Sequence, residues 1–113
     1  MREITKIKLN SDFRRIYYRG RSYVTPLFVL YVFKNRSGAK RVGFSAGKKI
    51  GNAVKRNRAK RLLRVAFSEN APLLNGGYDY LLVARARVIH KKSNEVSMAL
   101  NSLLIENNLV CDD

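Results

Sequence analysis

At 113 residues the chain has room for one hydrophobic core and not for two. Its 46% hydrophobic and 10% aromatic content excludes a disordered basic tail. With 23 Lys and Arg against 8 Asp and Glu the net charge is +15, so the expected partner is an anion, and small neutral ligands are a poor match.

In chain order, residues 1–10 read as an extended basic lead-in without the apolar stretch of a secretory signal. Ser11 is placed to cap a short helix, Asp12 suits its positive end, and Phe13, Ile16 and Tyr17 share one face. Gly20 is a natural stop. Residues 22–25 fit a short strand ahead of Pro26, and 27–33 a buried strand of β-branched and aromatic residues, far below the ~20 apolar residues a membrane span needs. Asn35, Arg36, Ser37 and Gly38 form a turn, which predicts that this strand pairs antiparallel with the next, beginning at Arg41.

That next strand alternates Val42, Phe44 and Ala46 with Arg41, Gly43 and Ser45. Gly47 and Gly51 bracket a basic turn, and Asn52 stands where a helix N-cap would. In the helix that follows, Ala59, Leu62, Leu63 and Ala66 fall at i, i+3, i+4, i+7 and require a core to cover them. Asn57, Lys60, Arg61 and Arg64 repeat the spacing on the other side. A merely solvated helix face mixes signs, because opposite charges at i, i+4 stabilise and like charges destabilise. Here Lys60 follows Arg56 and Arg64 follows Lys60 at that spacing, and no acid occurs between Asp12 and Glu69. Such a face points to a polyanionic partner.

Pro72, Asn75, Gly76 and Gly77 mark a loop, residues 78–84 another strand, and Arg85, Arg87, Lys91 and Lys92 a basic connector. Ser93 is placed to cap a last helix in which Val96, Leu100, Leu103 and Leu104 share a face with Asn107. The order is α, two or three strands, α, β, α: a single domain over 1–113 of α+β class, one small sheet with helices packed on it. Phe28, Leu30, Val32, Phe44 and Leu81 read as core or sheet packing.

The chain carries no set of residues for difficult chemistry of its own. Metal-dependent phosphodiester cleavage needs several convergent oxygen or nitrogen ligands, and the one histidine, His90, sits in a basic connector with no visible partner. The single cysteine, Cys111, rules out an intrachain disulfide and a cysteine-rich zinc cluster, and suits a reducing cytoplasm. Residues 47–51 are not a phosphate-binding P-loop, since Gly51 is followed by Asn52 and not by Lys and Ser or Thr.

The run from Lys48 to Arg64, with Gly51, Ala53-Val54, Arg56-Asn57-Arg58, Lys60-Arg61 and Arg64, resembles the signature motif of the bacterial ribonuclease P protein family. Asp12-Phe13, Phe28-Val29-Leu30-Tyr31 and Arg41-Val42-Gly43-Phe44-Ser45 resemble it too, so that residues 6–87 are covered. The resemblance implies a small sandwich of order α-β-β-β-α-β-α with a mixed four-stranded sheet and a left-handed β-α-β crossover. It implies the protein subunit of an endoribonuclease that removes the 5′ leader of precursor tRNA, the catalyst being the RNA subunit.

On matching positions, the face with Arg56, Asn57, Arg58, Lys60, Arg61 and Arg64 would meet the RNA subunit. Lys48, Lys49 and the helix N-terminus at Asn52 would form a second anion site. Phe13, Tyr17 and Tyr31 would form the leader cleft, or else serve as ordinary core. No catalytic residue and no protein-held metal is implied; magnesium would be bound mainly by RNA, and neither a membrane nor a small-molecule substrate is involved. Two other classes fit the residues: a ribosomal or other structured-RNA-binding protein, and a DNA-binding module. The second is disfavoured because the basic helix buries one face and no helix-turn-helix partner precedes it.

Overall fold

A computed structural model describes residues 4–7 and 10–111. Its elements are β1 (Ile4–Lys6), α1 (Asn10–Arg19), β2 (Arg21–Val24), β3 (Phe28–Lys34), β4 (Lys40–Ser45), α2 (Ala53–Asn70), β5 (Tyr78–Ala84) and α3 (Ser93–Glu106), with one-turn 3₁₀ helices at Lys48–Ile50, Ala71–Leu73 and Ala86–His90. The strands form one mixed sheet in the order β1-β4-β5-β3-β2.

This corrects the expected four-stranded sheet. The lead-in contributes a fifth strand: β1 pairs parallel with β4, Ile4 opposite Lys40 and Lys6 opposite Val42, and the Ile7 amide donates to the Val42 carbonyl at 2.8 Å. The β-branched Ile4 and Thr5 suit this edge, and buried Ile7 anchors it. A three-residue strand with both faces exposed has too little pattern to read from sequence.

The expected β3–β4 hairpin is also corrected. β5 lies between them, antiparallel to β3 (Leu30 opposite Leu82) and parallel to β4 (Val42 opposite Tyr80). Two features explain the insertion. β5 is the most apolar strand on both faces, with Tyr80, Leu81, Leu82 and Ala84 buried, so the sheet centre is where it loses most water. The turn after β3 is also splayed. Asn35 accepts from the Ser37 amide through Oδ1 and donates through Nδ2 to Asp79 Oδ1 at 2.8 Å, while its own amide reaches the Gly77 carbonyl. The turn thereby holds the start of β5 as well as the chain ahead of β4, where the same Nδ2 donates to the Ala39 carbonyl at 3.1 Å.

Helices cover both sheet faces. α2 and α3 pack on one, where Phe28, Leu30, Val42, Leu82, Leu63, Phe67, Leu100 and Leu104 form the main core. α1 covers the other with Ile16, packed with Ile7, Leu81 and the half-buried Phe13, Tyr31, Phe33 and Val83. The alternation along β3 accounts for this division, Phe28, Leu30 and Val32 facing α2 and α3, Tyr31 and Phe33 facing α1. Phe28→Ala, at a fully buried position, is expected to cost ~3–5 kcal/mol, read from the midpoint of urea denaturation.

The helix starts read from sequence, with Ser11 and Ser93 as caps, lie further out by two residues for α1 and by one for α3. α1 begins at Asn10, and α3 begins at Ser93 itself, where the Lys92 amide donates to Glu95 Oε1 at 3.1 Å. α1 stops at Gly20 as expected: its amide closes on the Ile16 carbonyl at 2.8 Å, and a side chain there would meet that carbonyl and the one of Val32. No described helix is long and apolar enough to cross a membrane.

Candidate nucleic-acid interface

The basic helix is held by its apolar face. Ala59, Leu62, Leu63, Ala66 and Phe67 are buried, and Asn70 donates to the carbonyls of Ala66 and Ser97 while accepting from Asn101, which ties α2 to α3. At about 100° per residue, this anchoring turns Asn57 and Arg61 away from the core, with Arg56, Arg58 and Arg64 towards the flanks. Asn57, Arg58, Arg61 and Arg64 are exposed, and Arg56 and Lys60 half-buried.

The flanking arginines are fixed by the chain itself. Arg56 Nη1 donates to the Gly51 carbonyl at 3.0 Å, and Arg58 Nε to the Ile89 carbonyl at 3.0 Å, each contact leaving further guanidinium N–H groups to face outward. Arg64 lies over the Phe44 ring at 5.6 Å. Among the described residues the ion pairs are Asp12 with Arg15 and Arg41, Asp79 with Arg41, and Glu95 with Lys91. Among these residues no α2 cation has a carboxylate partner.

Ahead of α2, exposed Lys48 and Lys49 ride on the 3₁₀ turn. Gly51 adopts φ 135°, ψ −150°, a conformation open to glycine alone, and this redirects the chain into the helix. Asn52 caps it as the sequence indicates, Oδ1 accepting from the Lys55 amide at 3.0 Å. Its side chain is therefore occupied in holding the helix start beside the two lysines.

A second surface lies on the opposite face of the sheet. Asn10, Phe13, Arg14, Tyr17, Tyr18, Ser45, Leu81 and Val83 line an open groove of about 300 Å³ between α1 and the strands. Tyr17 is half exposed, and its ring lies 5.0 Å from that of Tyr31 and 5.5 Å from that of Tyr18. Phe13 sits over Gly43, where any β-carbon would come within 2.7 Å of the ring; the absence of one lets the phenylalanine settle against the sheet. Of the three aromatic residues expected here, Phe13 and Tyr17 form walls, whereas Tyr31 backs Tyr17 from within the sheet. Burial raises the Tyr31 phenol above its usual range and the neighbouring Tyr17 adds to the shift, so it stays a neutral donor at physiological pH.

Sequence reasoning missed Arg14 and Tyr18. They stand at i, i+4 on α1 next to the Phe13–Tyr17 pair, and a cation and an aromatic repeated at that spacing on a short helix was the available signal. Arg41, read from sequence as a strand residue, ties α1 to the sheet: Nη2 meets Asp12 at 3.0 Å and Nη1 meets Asp79 at 3.4 Å. His90 is exposed at the end of the connector. For magnesium the donor set is a poor fit. Among the described residues no three of His, Cys, Asp or Glu come together, and Asp12 and Asp79 have the Arg41 guanidinium between them.

A cationic helix face with no carboxylate partner among the described residues, together with a separate groove walled by aromatic rings, defines a class: a small basic α+β protein with RNA-binding chemistry. The comparisons with known proteins agree. The chain belongs to the ribonuclease P protein family, whose model, described as Ribonuclease P, matches residues 1–107. The ribonuclease P protein component of Natranaerobius thermophilus is 43% identical over 97% of this chain and 100% of its own length, and that of Clostridium novyi 41% over 92% and 94%. The solved structure of the Staphylococcus aureus RNase P protein superposes with a TM-score of 0.82 at 31% identity, covering 96% of this chain and all of the other. The Thermotoga maritima protein gives 0.75 at 28%, covering 87% and 94%. Family membership brings an RNA partner and a place in an endoribonuclease of tRNA processing.

Proposed function

We propose that this chain, as the protein subunit of ribonuclease P, docks its α2 face on the catalytic RNA subunit and holds the single-stranded 5′ leader of precursor tRNA in the groove beside α1. The observation that carries this is the separation of the two surfaces. Arg56, Asn57, Arg58, Lys60, Arg61 and Arg64 lie on one side with no carboxylate partner among the described residues, while Phe13 and Tyr17, backed by Tyr31, open on the other side of the sheet. Arginine forks suit the phosphates of a folded RNA, with Lys48 and Lys49 extending the field past Asn52. Aromatic faces suit unpaired bases of any sequence.

In this reading the protein raises affinity for precursor over mature tRNA and relieves repulsion among RNA phosphates. Magnesium is held mainly by RNA in this reading, and no side chain takes part in bond cleavage. The substrate places the protein in the cytoplasm. Reconstitution tests it: adding the protein to a ribonuclease P RNA subunit should allow leader removal at magnesium concentrations where the RNA alone is slow, and RNA-free protein should leave precursor tRNA intact. Cleavage by the protein alone, or no effect on the RNA, would overturn the division of labour.

A further inference from the structure

The groove beside α1 does not end at Tyr17. Arg14 and Tyr18, two of its walls, also line a second hollow of about 310 Å³ on the outer side of α1, shared with Arg15 and Arg19. Arg19 in turn lines a third, of about 480 Å³, where the chain turns from α1 into β2. The walls of that third hollow include Arg21, Tyr23, Lys34, Tyr78 and Asn108. It opens towards the sheet face that α2 and α3 cover, so the three hollows form a path over α1 and around the end of the sheet.

Tyr23 and Tyr78 pack against the main core, but Tyr18 and most of the cations along this path have no comparable role. Tyr18 is 77% exposed, the most exposed aromatic among the described residues, and its ring stands perpendicular to that of Tyr17 at 5.5 Å. Arg14, Arg19, Arg21 and Lys34 have no carboxylate partner among the described residues, and Arg15 alone on this path is paired, with Asp12 at 3.5 Å. Arg19 suits the C-terminal end of α1, which accounts for one of them. It does not account for Arg21 and Lys34, which stand on neighbouring strands beside the half-buried Tyr23 and Tyr78.

We infer that this path is a track for single-stranded RNA, carrying the part of the leader furthest from the tRNA body out of the Phe13–Tyr17 groove, over Tyr18, to Arg21 and Lys34. It rests on the leader assignment proposed above and extends it in length. The chemistry is that of sequence-tolerant single-strand binding, in which cations follow the phosphates and exposed rings receive successive bases. A double helix is too wide and stiff to follow a path that bends around the end of a five-stranded sheet, and a small anion needs no path.

The experiment compares holoenzyme affinity for precursor tRNAs with leaders of about 4 and about 16 nucleotides, the range of single-strand site sizes for small folds. The proteins are the unmodified chain, Arg21→Glu/Lys34→Glu, Tyr18→Ala and Tyr17→Ala, with RNA-subunit affinity and circular dichroism measured in parallel. For Arg21→Glu/Lys34→Glu the long-to-short affinity ratio should fall roughly tenfold, and for Tyr18→Ala roughly fivefold, at unchanged RNA-subunit affinity. An unchanged ratio in both variants overturns the track, as does an equal loss for both leaders accompanied by weaker RNA-subunit binding, which would assign these cations to the RNA subunit. Tyr17→Ala separates the two levels. If it weakens binding of both leaders while the other variants leave the ratio alone, the groove stands and its extension falls; if it affects neither leader, the groove assignment falls and takes the track with it.

Discussion

Arg61→Glu/Arg64→Glu is expected to weaken binding to the ribonuclease P RNA subunit by about a hundredfold or more at near-physiological salt. Both side chains are exposed on α2 and neither has a carboxylate partner among the described residues. Reversal removes two cation–phosphate contacts, each worth ~1.5–3 kcal/mol as hydrogen bonds to charged groups, and adds two repulsions. The fold should tolerate the change, because the buried side of α2 is kept and relief of like-charge crowding along the helix offsets the loss of the Arg64 contact with the Phe44 ring. Filter binding with labelled RNA subunit gives the affinity, and urea denaturation shows whether stability stays within ~0.5 kcal/mol of the unmodified protein. Reversal of Arg58 would be harder to interpret, since its Nε–H also fastens α2 to the Ile89 carbonyl.

Tyr17→Ala should lower holoenzyme affinity for precursor tRNA by about 5- to 100-fold and leave mature tRNA unaffected, as expected for loss of one stacked base at ~1–3 kcal/mol. The geometry gives Tyr17 more weight than Tyr31: it is half exposed and forms a wall of the groove, while Tyr31 supports it from behind at 5.0 Å. Tyr31→Phe, which keeps the ring, should therefore change little, and Tyr31→Ala should act through a displaced Tyr17. Competition binding with precursor and mature tRNA distinguishes these outcomes. Equal losses for both RNAs would remove the leader assignment.

The parts of the molecule legible in the sequence are those set by strong local patterns. The spacing of Ala59, Leu62, Leu63 and Ala66 placed the helix and told which side is buried, and Asn52 marked its start through its capping chemistry. The alternation in residues 28–33 separates the side chains facing α1 from those facing α2 and α3, whereas Leu27, just ahead of β3, joins the α2–α3 core against the pattern. Strand neighbours were not legible. Asn35 to Gly38 have ordinary turn chemistry, and nothing local reveals that Asn35 reaches 44 residues ahead to Asp79 and so admits β5 between β3 and β4. β1 was missed because three exposed residues carry no periodicity.

The site shows the same division. The arginines of α2 were visible as a run of charge, but the internal contacts of Arg56 and Arg58 depend on where Gly51 and Ile89 arrive in three dimensions. Arg41 illustrates the limit most clearly. Its partners, Asp12 and Asp79, lie 29 and 38 residues away, and their convergence is a product of the sheet order.

The central claim is that one helix uses its apolar side to complete a core and presents its positive side to the phosphates of another molecule. The most direct measurement is the affinity of the unmodified protein for the RNA subunit as a function of monovalent salt. Seven cations at Lys48, Lys49, Arg56, Arg58, Lys60, Arg61 and Arg64 predict a log–log slope of about −4 to −6 if most of them meet phosphates. A slope near zero, with affinity retained at high salt, would contradict it.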